Sequence, residues 1–211
     1  MTEPKNMDSA SVLELILRRR SCRFFKECAE IPEDDVMRIL EAARWAPSAR
    51  NLQPLEYIIV RGEKSRASLC EFARQNQPRD CPLSIVVIGD LKRAKDVGEI
   101  SPHDVTTNIK GVKMFLYMDA AAAIENMLLA AESMGYNTLW ISSFDEDGLE
   151  EFLKLPQRFI PLAIICIGKA GREMVVPPKR DIKSRLHFEY WGPKLQNESH
   201  LKFSKEINRG F

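Results

Sequence analysis

The sequence lacks several features that would point to a membrane, nucleic-acid or metal-binding protein. No unbroken apolar stretch approaches the roughly 18 to 20 residues of a membrane span. Its 31 basic and 30 acidic residues leave a formal net charge of +1, which argues against a nucleic-acid partner. The five cysteines contain no Cys-x-x-Cys pair and the three histidines have no ligand-like spacing, which argues against a metal site. Because 1–9 also lacks the apolar segment of a signal peptide, we expect a reduced, cytoplasmic protein.

The hydrophobic pattern alternates between helical and strand periods and predicts one domain with an α/β or α+β sandwich. The predicted helices are 9–20, 32–45, 63–75, 118–134 and a short one before the last strand. The predicted strands are 56–61, 83–89, 136–141 and 160–168. The polar stretch 91–113 predicts a mobile excursion, and no periodicity remains after residue 171.

Two polar segments are the candidate ligand-binding elements. Residues 18–23 read Arg-Arg-Arg-Ser-Cys-Arg, which places four guanidinium groups and a hydroxyl group directly after an apolar-periodic helix. Guanidinium is well suited to binding phosphate through paired hydrogen bonds. Residues 46–54 read Ala-Pro-Ser-Ala-Arg-Asn-Leu-Gln-Pro and offer amide, hydroxyl and carboxamide groups between two prolines. Together the segments suggest a ligand with a phosphate at one end and a flat, hydrogen-bonding ring at the other.

With these segments on either side of its second helix, the chain resembles the flavin-dependent nitroreductase family over nearly its whole length. Four stretches carry the resemblance in chain order: 19–25 (the Arg-(Arg/His)-Ser-x-(Arg/Lys) segment), 46–54 (the Ala-Pro-Ser-x-x-Asn-x-Gln-Pro loop), 119–135 with 140–144 (the central helix and the following strand), and 160–168 with 177–180 (the last core strand and the phosphate-contacting tail). Each motif is weak to moderate alone, and their common order makes the resemblance specific.

The resemblance implies an α+β fold in which helices flank a central, mostly antiparallel sheet. It also implies an intertwined homodimer with two FMN molecules at the interface, to which both chains contribute. The single domain 1–211 would then end in an extended arm, 171–211, on the partner subunit. This would explain why 118–134 is apolar on nearly all sides and why the tail carries aromatic residues without a core pattern.

By resemblance, the arginine segment binds the phosphate end of FMN and reaches the ring. Arg19 and Ser21 hold the phosphate, and Arg20 lies along the ribityl chain and the phosphate. Arg23 corresponds to the basic residue beside N1 and O2 of the isoalloxazine, with an ordinary surface arginine as the alternative. Hydride arriving at N5 leaves negative charge over N1 and O2, which a fixed cation stabilises.

The loop and the end of the strand 136–141 correspond to the contacts with the flavin ring. Pro47 and Ser48 meet the ring from the partner chain, and Asn51 bonds the pyrimidine edge and the ribityl chain. Gln53 either joins these contacts or orients the loop. The further predicted contacts follow in the strand: Ile141, Ser142 and Ser143.

Ser143 falls where the family uses a backbone N–H to donate to N5. Ser142 stands where some bacterial members carry a glutamate, so their substrate preferences do not carry over. In the tail, Lys179 and Arg180 match the second phosphate-binding pair, because the two preceding prolines fix their register. A rival pair follows it: Lys183 and Arg185.

We therefore expect an FMN-dependent NAD(P)H oxidoreductase that reduces electron-poor acceptors, such as nitroaromatics and quinones, by ping-pong hydride transfer, with Arg23 and Ser143 as its catalytic residues. The lack of a dinucleotide-binding Gly-x-Gly-x-x-Gly segment fits, because the family binds nicotinamide without one. One alternative is a specialised flavoenzyme of the same fold, such as a reductive dehalogenase or an enzyme that consumes its own flavin, which 100–117 would decide. Another is a non-catalytic flavin-binding sensor or storage protein.

Overall fold

The computed structural model describes residues 9–27, 30–95 and 109–191. These residues belong to two units, one that ends at Met174 and one that begins at Val175. The helices of the first unit are α1 (Ser9–Arg18), α2 (Glu33–Arg44), α3 (Glu63–Ala73), α4 (Gln77–Asp80), α5 (Leu91–Lys95), α6 (Ile109–Ser133) and α7 (Glu146–Leu153). The strands are β1 (Phe25–Lys26), β2 (Leu55–Val60), β3 (Leu83–Asp90), β4 (Asn137–Ile141) and β5 (Phe159–Ala170).

The five strands form an antiparallel sheet with β5 at its centre. Strand β5 pairs with β3 and β4, and its C-terminal residues pair with β1, while β2 pairs with β3. A register shift between Val87 and Ile88 lets Pro161 fit into the sheet, because a bulge releases the ladder hydrogen bond that proline cannot donate. The expected α+β fold with a mostly antiparallel sheet is confirmed.

Helices cover both faces of the sheet, which explains why β3 reads as a continuous apolar run. Alternate residues Leu83, Ile85 and Val87 belong to the cluster that includes α2 and α6. Val86 and Ile88 belong to the cluster that includes α3 and α7. The core is therefore two apolar layers with the sheet between them.

Helix α6 is the long apolar helix of the core. Its stretch Gly111–Ser133 could cross a membrane by length and composition alone, but the buried core helix of a soluble protein passes the same test. Here it lies against α2 and the sheet, with Leu116, Ile124 and Met127 fully buried. Gly89 permits this close approach, because a Cβ there would lie 2.6 Å from Leu116 Cδ2.

Several element boundaries differ from the prediction. Helix α1 ends at Arg18 instead of residue 20, because the chain leaves the helix to form the bridge between Ser21 and Thr138 of β4. Helix α3 ends at Ala73 instead of residue 75, because Arg74 adopts a left-handed conformation with φ of 50°. Helix α6 begins at Ile109 instead of residue 118. The short strand β1 was not predicted.

Both ends of the predicted mobile excursion 91–113 are helical. Leu91–Lys95 is helix α5, and Asp90 caps it by accepting hydrogen bonds from the backbone N–H groups of Lys92 at 2.9 Å and Arg93 at 3.0 Å. Residues 109–113 belong to α6. The middle of the range, 96–108, lies outside the described residues.

Candidate functional site

The first part of the arginine segment is fixed to helix α6. Arg18 Nε donates to Glu132 Oε1 at 2.9 Å, and Arg19 Nε lies 3.5 Å from Glu125 Oε1. The two glutamates are seven residues apart on α6 and therefore project from nearly the same face. The C-terminal end of α1 is thus tied to one face of α6 by two ion pairs.

The next residues follow strand β4. Ser21 forms a parallel bridge with Thr138, and Cys22 N–H donates to Thr138 O at 2.8 Å. Arg20 turns back, and its Nη1 donates to backbone carbonyls, including its neighbour's at 2.7 Å. Its Nε is buried and has no hydrogen-bond acceptor among the described residues. A buried cationic N–H donor without an acceptor is unfavourable, and an anionic acceptor would satisfy it.

Arg23 differs from the preceding arginines. Its side chain is exposed, and in the part of the chain that the structure describes its guanidinium makes no hydrogen bond or ion pair. Its backbone is nevertheless fixed, because Gln77 Nε2 donates to Arg23 O at 3.3 Å. The structure therefore offers one uncommitted guanidinium group on an anchored stretch of chain.

Strand β4 also carries the other predicted flavin contacts. Ile141 ends the strand and its side chain is buried in the core, so only its main chain is available to a ligand. Ser142 and Ser143 follow directly and are exposed. Because Ser21 bridges Thr138, the arginine segment lies beside β4, the strand that leads to these serines. Thr138 and Ser143 are five residues apart, or roughly 16 Å at about 3.3 Å per residue of extended chain.

The proline-bracketed loop between α2 and β2 is held by its own side chains. Ser48 Oγ accepts a hydrogen bond from Gln53 N–H at 3.0 Å, and Gln53 Nε2 donates to Asn51 Oδ1 at 3.1 Å. Pro47 is exposed at the start of the loop. Gln53 therefore orients the loop whether or not it also contacts a ligand.

Two side chains from other elements hold the same loop. Asp119 of α6 accepts a hydrogen bond from Ala49 N–H, with Oδ1 at 3.0 Å and Oδ2 at 3.2 Å. Arg93 of α5 donates through Nε to Leu52 O. Sequence reasoning did not assign a role to Asp119 or Arg93, although a single acid at the start of the small-residue run of α6 is a signal that could have found Asp119.

A cavity of about 470 Å³ lies beside this loop, between α2, β2, α5 and α6. Pro47, Ser48 and Gln53 line it, together with Tyr57 and Asp119. Burial raises the pKa of Tyr57 to about 12, with the neighbouring carboxylate of β2 as a smaller cause, so the phenol stays protonated at neutral pH. Burial also raises the pKa of Asp119, and the Ala49 hydrogen bond opposes that shift.

An exposed tryptophan stands at the end of α2, whose side chains form one wall of this cavity. Trp45 Nε1 donates to Glu41 Oε1 at 2.9 Å, and Arg44 binds the same carboxylate through Nε at 2.8 Å and Nη2 at 2.6 Å. The Arg44 guanidinium also lies 5.3 Å from the centre of the Trp45 ring. These hydrogen bonds lower the pKa of Glu41 to about 2, with Arg44 as the larger cause and Trp45 as the smaller one.

Helix α6 carries the anchors of both parts, but on different faces. Glu125 lies six residues after Asp119, which corresponds to a rise of about 9 Å and a rotation of about 120° at 3.6 residues per turn. Within one chain, the loop and the arginine segment therefore project from different sides of the helix. No hydrogen bond or ion pair joins them among the described residues.

The tail, described to residue 191, forms the second unit. It contains one 3-10 turn, Lys183–Arg185, in which Asp181 Oδ1 accepts from Lys183 N–H at 3.0 Å. The two candidate phosphate-binding pairs are exposed: Lys179, Arg180, Lys183 and Arg185. The tail also exposes Trp191, whose ring stacks on that of His187 at 4.2 Å. The choice between the two pairs stays a prediction.

Comparisons with known proteins identify the family. The chain is 30% identical over 187 residues to a Methanothermobacter thermautotrophicus protein provisionally named NADH dehydrogenase/NAD(P)H nitroreductase, with 85% of this chain and 87% of that protein covered. It is 28% identical over 209 residues to the NADPH-dependent oxidoreductase of Staphylococcus haemolyticus, covering 93% and 81%. The solved structure of B. megaterium NfrA1 superposes with a TM-score of 0.76 at 26% identity, covering 94% of this chain and 80% of that chain. The family model described as the nitroreductase family matches residues 16–169, and the chain belongs to that family.

Proposed function

We propose that this chain is an FMN-dependent NAD(P)H oxidoreductase that reduces electron-poor acceptors such as nitroaromatics and quinones. The observation that carries the proposal is the buried Arg20 Nε, a cationic donor without an acceptor among the described residues. It lies in the arginine segment that α6 and β4 hold in place. The names of the two relatives described above bear out the expectation of an NAD(P)H-dependent oxidoreductase.

The donor set suits a phosphate and a flat heterocycle. Arg19, Arg20 and Ser21 would hold the phosphate, helped by a basic pair of the tail, for which Lys179 and Arg180 are preferred. A phosphate needs several cationic N–H donors, and this segment supplies them on a backbone that is already fixed. FMN, when bound, supplies the hydride-accepting and hydride-donating chemistry.

The remaining predicted residues would orient the ring and tune its environment. The loop would contribute Pro47, Ser48, Asn51 and Gln53, and the strand end would contribute Ser142, the Ile141 main chain and the Ser143 backbone N–H. Arg23 would place its charge against the edge of the ring where electron density accumulates on reduction, because its guanidinium has no competing partner among the described residues. NAD(P)H and the acceptor would occupy the open side in turn, which is a ping-pong sequence.

The proposal includes a homodimer, because the two parts of the site face apart within one chain. A loop and an arginine segment on different faces of α6 can meet around one ligand if each comes from a different protomer. Neighbouring helices α1 and α6 also expose apolar side chains that a second copy would cover. These side chains are Val12, Leu13, Ile16, Leu17, Met114, Tyr117 and Met118.

The arm belongs to the same proposal. The described part of the tail exposes several large apolar side chains, which is typical of a segment that packs on a partner surface. These side chains are Val175, Val176, Ile182, Phe188, Tyr190 and Trp191. We infer that the arm lies on the partner subunit of a soluble, cytoplasmic dimer.

The test is to purify the protein, extract its flavin and reduce the bound flavin without oxygen. We expect FMN and not FAD in the extract, bleaching of the flavin by NADH or NADPH, and recovery of the oxidised spectrum with a quinone. Light scattering should give twice the 24.1 kDa chain mass. A preparation that binds FMN but is not reduced by either nicotinamide would favour a non-catalytic flavin-binding protein. FAD as the main flavin, or a flavin-loaded monomer, would contradict the proposal.

A further inference from the structure

The loop between α2 and β2 holds an unfavourable backbone conformation. Arg50, Asn51 and Gln53 have φ values of 52°, 57° and 49°, in the left-handed region that residues other than glycine avoid. Such conformations persist when surrounding contacts determine them, and they cluster at binding sites. Since Asn51 and Gln53 are predicted flavin contacts, the contacts that hold this loop would also determine how it binds the flavin.

The hydrogen bonds within the loop do not fix its position against the rest of the protein. Asn51 N–H donates to Ser48 O at 2.9 Å, and Leu52 N–H donates to Ala49 O at 3.0 Å, which closes a 3-10 turn. These bonds shape the turn but would move with it. Two hydrogen bonds link this turn to other elements: Ala49 N–H donates to the Asp119 carboxylate at its start, and Arg93 Nε of α5 donates to Leu52 O at its end.

Burial of the Asp119 carboxylate is energetically unfavourable. Asp119 is only 8% exposed, and it precedes the small-residue run of an otherwise apolar part of α6. Burial of a carboxylate costs free energy unless hydrogen bonds compensate it. Among the described residues, Ala49 N–H is the donor that faces it. The charge therefore serves the loop and not the packing of the helix.

We propose that Asp119 is a positioning residue that holds the loop in its ring-binding conformation, and this inference rests on the proposed function. It makes a specific statement about the two ends of the flavin. Loss of Asp119 weakens contacts with the ring and the ribityl chain but leaves the phosphate contacts of Arg19 intact. A residue that merely stabilised the fold would affect both ends equally.

The experiment compares Asp119→Asn and Asp119→Ala with Glu132→Gln. Glu132 is also a nearly buried carboxylate of α6, but it binds Arg18 and makes no hydrogen bond with the loop. Dissociation constants are measured for FMN and for riboflavin, which lacks the phosphate, together with the melting temperature of the apoprotein. We expect Asp119→Asn to weaken both flavins by the same factor, about 5- to 30-fold, because its amide oxygen can still accept from Ala49 N–H but carries no charge. Asp119→Ala should weaken both by about 10- to 100-fold, because the hydrogen bond itself is lost. Glu132→Gln should leave the riboflavin affinity unchanged, because its carboxylate holds the arginine segment at the phosphate end and makes no hydrogen bond with the loop.

A second pair of variants separates this role from a folding defect. Ala49→Pro removes the N–H donor at the first position of the turn, where proline is tolerated and the extended Ser48 suits it. If both variants act through one hydrogen bond, the double variant Ala49→Pro with Asp119→Asn should bind FMN no more weakly than the worse single variant. The apoprotein of Asp119→Asn should melt no lower than the wild type, since burial opposes the charge.

An unchanged FMN affinity in Asp119→Ala would overturn the inference, as would a fall in melting temperature that accounts for the weaker binding. An affinity loss for FMN that riboflavin does not share would also overturn it, because it would place the effect at the phosphate. If the wild-type protein bound no FMN, the proposed function itself would fail, and that outcome is read before any variant is made.

Discussion

Two arginines of the arginine segment, Arg19 and Arg23, have different predicted roles that can be measured separately. Arg19 is committed to Glu125, and its predicted role is to bind phosphate. Arg23 is exposed, and its guanidinium is unpaired within the described residues, so its predicted role is to stabilise charge on the reduced ring. We expect Arg23→Ala to slow flavin reduction and lower the flavin reduction potential, and Arg19→Ala to weaken FMN binding while the bound flavin reacts at nearly the wild-type rate.

The magnitudes follow from the surroundings of each side chain. Arg23→Ala breaks no ion pair among the described residues, so unfolding free energy should change by less than about 0.5 kcal/mol. Loss of one preorganised charge costs about 2 to 4 kcal/mol in the transition state, or about 30- to 1,000-fold in rate. The Arg19–Glu125 pair joins side chains that are 24% and 45% exposed at 3.5 Å, so it contributes at most about 1 kcal/mol. Loss of a charged contact with phosphate should weaken FMN binding by about 10- to 150-fold.

The assay is anaerobic stopped-flow reduction at an FMN concentration that saturates each variant, with affinities measured separately by flavin fluorescence. Arg18→Ala is the matched control, because Arg18 belongs to the same segment but pairs with Glu132 and has no assigned contact with the flavin. It should leave both the affinity and the rate near wild type. If Arg19→Ala and Arg23→Ala have the same effects at equal occupancy, the assigned division of labour is wrong.

Three further predictions concern other parts of the molecule. Because hydrogen bonds lower the pKa of Glu41 to about 2, its carboxylate stays charged as pH falls through 4.5, and it should stop ordering Trp45 only near pH 2. The fluorescence of a variant in which the other two tryptophans are replaced by phenylalanine measures this transition, and a midpoint near pH 4.5 would contradict the prediction. Met118→Lys places a charge on the exposed apolar surface of α6 and should shift the dimer toward a monomer, measured by light scattering, with loss of bound FMN. An unchanged FMN-loaded dimer would exclude that surface from the interface. Arg74→Gly replaces a residue in the left-handed conformation at the end of α3 and should raise the unfolding free energy by about 0.5 to 1 kcal/mol in a urea titration. A decrease would mean that the Arg74 side chain stabilises the fold by more than its backbone conformation destabilises it.

Local patterns predicted the elements that bury whole faces, and they failed where distant contacts decide the structure. The apolar run of β3 and the acidic start of α2 were sufficient, because burial and helix capping act within a few residues. Strand β1 has only two residues, which is too short for any period, and it forms because β5 is available for pairing. Helix α5 had a local signal, the capping Asp90, but the surrounding polar residues outweighed it.

The candidate site shows the same division. The phosphate-binding chemistry of the arginine segment can be predicted from residue type, because guanidinium has few rivals for that role. The anchors could not be predicted in the same way, since Asp119 and Ala49 are 70 positions apart. Likewise, the Arg19–Glu125 pair depends on how α1 packs on α6.

The placement of both anchors on one helix makes the length of that helix segment critical. Inserting one residue between Asp119 and Glu125 would turn one anchor by about 100° and shift it by about 1.5 Å relative to the other. The loop and the arginine segment would then no longer project from α6 at their present relative angle, even if every side chain that contacts a ligand were kept. Insertions and deletions should therefore be tolerated in the connections around α6 but should impair ligand binding within these two turns, because the helix sets the distance and the angle between the two anchors.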